Sequence, residues 1–200
     1  MHDELPFSAA AHRNAAAIFD VLSGVLPGTA TVLEIASGTG QHAAHFAALQ
    51  HAWAWQPTDA EEAALPGIAK RCESVSNVRP PLRLDVLAPW PTSLGRFDAV
   101  YCANMLHISP WATCGALMRG AAARLADEGW LVLYGPFLID GEPTAPSNLS
   151  FDADLRRRDA AWGIRRLADV ADEARSVGLT LARRVDMPAN NLVLVFRRER

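Results

Sequence analysis

Residues 31–46, T-V-L-E-I-A-S-G-T-G-Q-H-A-A-H-F, constrain the fold more than any other stretch of the chain. Val32-Leu33-Glu34-Ile35 is a short apolar run of the kind a buried parallel strand uses. Ala36-Ser37-Gly38-Thr39-Gly40 is a turn of small residues, and helical spacing follows over 42–49. Strand, glycine turn and helix in that order make a phosphate- or nucleoside-binding corner. Glycine lets backbone approach a ligand, and a helix N-terminus presents unpaired N–H groups. Glu34 is an acid near the end of an apolar strand, so it is either an exposed strand end or a charge kept for a purpose. The dinucleotide fingerprint G-x-G-x-x-G is missing, because Ala36 and Ala43 stand where glycine would be needed.

With 200 residues, half of them apolar, the chain suits one domain with a sizeable core over 1–200. There is no internal repeat and no apolar run of membrane-spanning length. The N-terminus M-H-D-E-L-P-F lacks the basic and apolar regions of a secretory signal. The expectation is a soluble, cytoplasmic protein that does not engage a membrane. A formal charge of −3, with Arg156-Arg157-Arg158 as the largest basic block, argues against nucleic acid as a partner. Cys72, Cys102 and Cys114 show no C-x-x-C spacing and fit a reducing compartment. His42 and His45 lie one helical turn apart without further ligands at telling spacing, so no metal is expected.

In chain order, a polar arm leads into a helix over 9–25 with Ser8 as its cap. His12, Arg13 and Asn14 cluster near its start, either as a solvated face or as a lid, so 1–30 is a possible lid. A second strand over 52–56 is closed by Pro57-Thr58-Asp59. An acid at that point can accept from both ribose hydroxyls of a nucleoside, or it can cap the next helix, expected over 60–72. A third strand over 80–85 ends in Asp85, and a fourth over 96–103 runs into Asn104-Met105-Leu106-His107. Ligands of open α/β sheets sit outside the carboxyl ends of strands, which turns Asn104 and His107 toward the site. Ser109-Pro110 starts a helix over 111–125, and a fifth strand over 130–134 breaks at Gly135-Pro136. Residues 137–166 read as an irregular insertion over the acceptor site, followed by a helix over 167–177 ending at Gly178. Strands over 179–185 and 192–196 form a closing hairpin. The fold class expected is α/β, Rossmann-like. Its seven-stranded sheet is mostly parallel, with a C-terminal antiparallel hairpin and helices on both faces.

The glycine turn resembles the E/D-x-G-x-G-x-G loop of class I S-adenosylmethionine (SAM) methyltransferases, with Glu34, Gly38 and Gly40 in place and Ala36 standing for the first glycine. The whole chain is similar to one group within that superfamily, a small uncharacterised methyltransferase-like family found in bacteria and animals. The resemblance rests on Arg13-Asn14, the run 33–42, Trp55-Gln56-Pro57-Thr58-Asp59, the run 104–111, Tyr134-Gly135-Pro136-Phe137, Ser147-Asn148, Phe151-Asp152, Leu155-Arg156, Arg158-Asp159, Trp162-Gly163-Ile164 and Met187-Pro188-Ala189-Asn190-Asn191. It implies SAM as cofactor and S-adenosylhomocysteine (SAH) as product, and leaves the acceptor open. Carried over by position, Glu34, Gly38 and Gly40 hold the amino-acid end of SAM, Asp59 the ribose and Asp85 the adenine, with Val86 or Leu87 against the base. Ala36, Ser37, His42, Asn104, Arg13 and Asn14 complete the cofactor set.

Methyl transfer is an in-line displacement that needs mainly positioning, plus a base where the acceptor is protonated. His107 is the candidate base, its alternative being a structural imidazole, and Asn104 would orient the acceptor or the methionyl group. Tyr134, Asn148, Arg156, Trp162, Asn190 and Asn191 are expected to line the acceptor pocket. Low net charge and an enclosing insertion favour a small-molecule acceptor. Two other readings stay open: a non-catalytic SAM- or nucleoside-binding protein, and a nicotinamide-dependent oxidoreductase. The second lacks the third glycine and a Tyr-x-x-x-Lys pair.

Overall fold

Alternating side chains of the central strands are apolar on both sides, and a computed structural model, describing residues 5–198, shows what covers each side. The strands β1 (Ala30–Ile35), β2 (Trp53–Asp59), β3 (Leu82–Arg83), β4 (Phe97–Ala103), β5 (Leu125–Gly135), β8 (Leu179–Met187) and β9 (Asn191–Arg198) form one sheet in the order β3-β2-β1-β4-β5-β9-β8. β1 through β5 pair in parallel, and β9 runs antiparallel to both of its neighbours. A separate parallel pair joins β6 (Phe137–Leu138) to β7 (Arg165–Arg166). The expected α/β class, with its antiparallel C-terminal hairpin, is the observed one.

Successive residues of a strand point to opposite faces. Leu33, Val100 and Leu131 enter the core beneath α4 (Ala112–Arg124) and α6 (Leu167–Arg175). Val32, Tyr101 and Val132 enter the other, beneath α1 (Ala9–Val25) and α2 (Gln41–Leu49). That double coverage is why β1 reads as a continuous apolar run. Phe46 of α2 is fully buried and meets the rings of His42, Trp55 and Tyr101. Strand order reverses between β1 and its two neighbours, β2 and β4, which opens a crevice at their carboxyl ends.

Several expected boundaries shift. The helix expected over 60–72 becomes a 3-10 turn, Glu62–Ala64, and then α3 (Leu65–Cys72), because Pro66 sets the first α turn. The third strand shrinks to Leu82–Arg83 after Pro80-Pro81, whose missing N–H groups cannot join a ladder. β5 starts at Leu125, earlier than expected, and runs for 11 residues. The stretch 137–166 is not irregular: it contains α5 (Pro146–Arg158), 13 residues opened by a proline at its first turn. Only Asn148 and Leu155 of α5 are buried, so it carries no apolar stripe that sequence periodicity could reveal. Ser8 caps α1 as expected, its hydroxyl accepting from Ala11 N at 3.2 Å. The first four residues of the polar arm lie outside the described residues. Among the described residues, no helix is long and apolar enough to cross a membrane.

Phe46→Ala empties the centre of the aromatic cluster under α1. It should lower unfolding free energy by about 3–5 kcal/mol in urea denaturation. A loss below about 1 kcal/mol would show that the site collapses or that the cluster carries little stability.

Candidate active site

The glycine turn emerges from β1 with Ala36 at φ 56°, Gly38 at 56° and Gly40 at 72°. Ala36 therefore adopts the left-handed backbone that the glycine in its place would adopt freely, at a cost of about 1 kcal/mol. The bonds that hold the turn include Ser37 N to Thr58 O at 2.8 Å, Gly40 N to Ser37 O at 2.9 Å, and Gly38 N to Asp59 Oδ2 at 2.8 Å. A Cβ on Gly40 would stand 3.1 Å from Ile68 Cα, so both conformation and space require glycine there.

A cavity of about 640 Å³ opens beyond this turn, at the carboxyl ends of β1, β2 and β4. Of the expected cofactor residues, Glu34, Ala36, Ser37, Gly38, His42, Asp59, Asp85, Val86 and Asn104 line it. Gly40 does not, and acts through the backbone path of the turn. Asp59 is buried, with Oδ1 accepting from Glu61 N at 3.0 Å and Oδ2 from Gly38 N at 2.8 Å. Each oxygen keeps a second lone pair, so the carboxylate serves the local turns and still has capacity for ligand hydroxyls. Asp85 is exposed, past the end of β3, and accepts from Leu87 N at 2.9 Å. Val86 is in the cavity wall, whereas Leu87 is not. Asn104, at φ 58°, is pinned by its N–H to Tyr134 O at 2.8 Å.

Glu34 is not an exposed strand end. It is 2 % exposed, and its Oε2 accepts from Trp55 Nε1 at 2.9 Å. Burial raises its pKa to about 7, against the smaller opposing pull of the Trp55 and Ser37 hydrogen bonds. His42 is buried as well. Its Nε2–H donates to Ala11 O at 3.2 Å and Asn14 Oδ1 at 2.7 Å, and its Nδ1 accepts from Tyr101 OH at 3.0 Å. A backbone carbonyl accepts only, so this tautomer is fixed, and burial lowers the ring's pKa to about 4. His42 thus ties α1 to the sheet beside the cavity. Ser8 N donates to Gln41 Oε1 at 2.6 Å, and the Arg71 guanidinium bridges Thr39 O and Pro6 O. Through these ties Ser8 and Ala11 become cavity wall, while Asn14 lies buried behind His42 and Arg13 is exposed.

His107 is buried but outside the cavity wall. Its ring packs edge-on to Phe151 of α5, centroids 5.5 Å apart, and its Nδ1 would lie 3.5 Å from a Cβ on Gly135. Burial, and then the charge of Arg165, lower its pKa to about 4. The six expected acceptor residues do not converge on one place. Asn148, Asn190 and Asn191 line a second cavity of about 250 Å³ between α5 and the β8–β9 turn. Arg156 is exposed and paired with Asp152 at 2.8 Å. Trp162 lies under the Arg158 guanidinium, 5.0 Å from its ring centroid. Tyr134 is buried in the α1-side core, bonded to Asn14. α5 separates these positions; read as a loop, the segment gave no reason for them to part. Sequence reasoning missed Met105, Ile108 and Thr113 in the main cavity. Their signal was the Ser109-Pro110 helix start so soon after Asn104. Among the described residues, no group of three or more His, Cys, Asp or Glu could hold a metal ion.

This architecture is that of solved methyltransferases. An O-methyltransferase family protein from Burkholderia thailandensis matches with a TM-score of 0.78 and 18 % identity, over 95 % of this chain and 57 % of its own. The SAM-dependent methyltransferase SibL, in its apo form, matches at 0.77 and 20 % identity, over 96 % and 56 %. CalO1, a methyltransferase in calicheamicin biosynthesis in its SAH-bound form, matches at 0.76 and 15 % identity, over 92 % and 54 %. At such identities the likeness defines the fold, a Rossmann-like methyltransferase fold, and the chain spans little more than half the length of these neighbours. Residues 5–198 match the family described as a protein of unknown function, DUF938, and the chain belongs to that family.

Glu34 gives a pH signature. Folded Glu34 keeps its proton up to about pH 7, while the unfolded chain releases it near 4.5. The folded pKa is the higher one, so its contribution is fully present below the unfolded value and is lost as pH rises toward 7. Glu34→Gln keeps an oxygen for Trp55 and removes that loss. Relative to wild type, the variant should gain up to about 3 kcal/mol across this window, at about 1.4 kcal/mol per pKa unit. Urea midpoints measured at several pH values check this, and a pH-independent difference would contradict it.

Proposed function

We propose that this protein is a SAM-dependent methyltransferase acting on a small-molecule acceptor. The observation that carries the reading is the cavity at the β1/β2/β4 crevice, walled by the 36–40 turn with Asp59 and Asp85 beyond it. Its volume of about 640 Å³ falls in the range of small-molecule sites. The donor set fits the cofactor: left-handed backbone at 36–40 for the amino-acid end, Asp59 for ribose hydroxyls, Asp85 for the adenine amino group and Val86 as an apolar base contact. Glu34, Ser37 and His42 line the amino-acid end, and Asn14 on α1 backs His42 through their 2.7 Å hydrogen bond. When bound, SAM supplies an electrophilic sulfonium methyl. Asn104, fixed by the Tyr134 carbonyl, orients the acceptor or the methionyl group. His107, neutral at pH 7, offers a nitrogen lone pair that can take the acceptor proton as the new bond forms. α1 serves as a lid, and the 137–166 insertion covers the acceptor side through Phe151. A cytoplasmic setting and the lack of a nucleic-acid partner belong to the same reading.

One observation favours a second reading, a SAM-binding protein without catalysis: His107 lies outside the cavity wall and the expected acceptor residues are dispersed. Calorimetric titration tests what the two readings share. SAM and SAH should bind wild type with micromolar affinity, Asp59→Ala should lose about tenfold or more, and NADH should not bind. Absence of SAM and SAH binding would remove both readings.

Methyl transfer from radiolabelled SAM to metabolite extracts separates them. His107→Gln should cut turnover by about 10²-fold or more while leaving SAM affinity within about twofold. Turnover unchanged in that variant would make His107 structural.

A further inference from the structure

We infer that the second cavity, between α5 and the β8–β9 turn, is a binding site for a small protonated amine. Two distant sequence blocks meet there. Asn148 Nδ2 donates to Asn190 O at 2.9 Å, and Asn191 Nδ2 donates to Pro188 O and Ala189 O, both at 3.3 Å. Carbonyl partners accept only, which fixes the nitrogen ends of both amides. Asn148 and Asn191 both line the cavity, and their Oδ1 atoms have no hydrogen-bond partner among the described residues. Asn148 is 8 % exposed, and its free amide oxygen opens onto the cavity, where it can accept from a donor bound there.

Charge points the same way. Glu142 and Asp186 line the cavity with one internal cation, Arg184, which pairs with Glu142 at 2.8 Å and with Asp186 at 3.4 Å. Two carboxylates against one guanidinium leave a negative excess. An ammonium brings donors and no acceptor, matching amide oxygens and carboxylates together. Among the charged groups of the lining, a carboxylate or phosphate would be attracted by Arg184 alone, and Arg184 is already paired with both acids. Phe137 and Met187 supply apolar wall for the carbon skeleton of an amine. The turn that presents Asn191 holds two consecutive non-glycine residues in left-handed backbone, Ala189 at φ 58° and Asn190 at 56°. The Asn148 bond to Asn190 O and the Asn190 bond to Ser147 Oγ brace it. The volume of about 250 Å³ admits a small molecule or one end of a larger one. Nothing in this inference depends on SAM binding. Where methyl transfer also holds, Phe137 follows the Gly135 that packs on His107, and the amine site would anchor the acceptor.

Ethylammonium chloride titrated into the full-length ¹⁵N-labelled chain tests the site. It should shift the side-chain amide signals of Asn148 and Asn191 saturably, with a Kd of order millimolar, the limit for so few heavy atoms. Propan-1-ol and propionate should shift them far less. Asp186→Asn should weaken ethylammonium by about threefold, as expected for loss of one exposed charge. Asn148→Leu should abolish the shift; if that variant does not fold, the Asp186 variant and the neutral and anionic controls decide. Shifts that do not saturate, or equal shifts from propan-1-ol or propionate, would overturn the inference. So would no shift at all.

Discussion

The hydrogen bond from Gly38 N to Asp59 Oδ2 is the contact on which the site depends. It joins the turn after β1 to the end of β2 and holds open three left-handed backbone positions, one of them the non-glycine Ala36. An alanine there is strained, so the turn persists because its neighbours over-determine it. Those neighbours are the Thr58 carbonyl, the Asp59 carboxylate and the Ile68 backbone packed against Gly40. From that turn follow the start of α2, the position of His42 and the depth of the cavity.

Behind the turn, ionisable groups are buried among fixed hydrogen-bond partners. Glu34 and His42 are both displaced by burial toward their neutral forms, one raised and the other lowered. Each is satisfied by donors and acceptors whose roles are fixed: the Trp55 indole for Glu34, the Ala11 carbonyl and Tyr101 hydroxyl for His42. A group shifted toward its neutral form avoids part of the desolvation cost of a buried ion, and its hydrogen bonds still specify one arrangement. They also make α1 part of the cavity rather than a neighbour of it.

Much of the fold was legible in sequence because its signals are local. The apolar run at 32–35, the Ser8 cap, the Gly-rich turn and the acids closing the second and third strands all act within a few residues. Most of the residues expected to hold a cofactor gathered for the same reason, standing at or just past the carboxyl ends of strands. The acceptor side was not legible. α5 has no apolar stripe, so 137–166 reads as loop, and whether Arg156, Trp162 and Asn148 share a pocket depends on that helix. The burial of Glu34 was hidden because only tertiary packing brings the Trp55 indole to it. Asn190 and Asn191 drew notice through resemblance alone, and the contact that ties Asn190 to α5, Asn148 Nδ2 to Asn190 O, crosses 42 residues of sequence.

The described residues form a crevice at the strand-order reversal and a separate polar cavity past β5. The central claim concerns the first. A crystal structure of the protein grown with SAH tests it most directly. The account predicts the ribose on Asp59, the adenine at Asp85 and Val86, and the homocysteine along residues 36–40. SAH bound elsewhere, or excluded with the crevice closed by its own side chains, would contradict it.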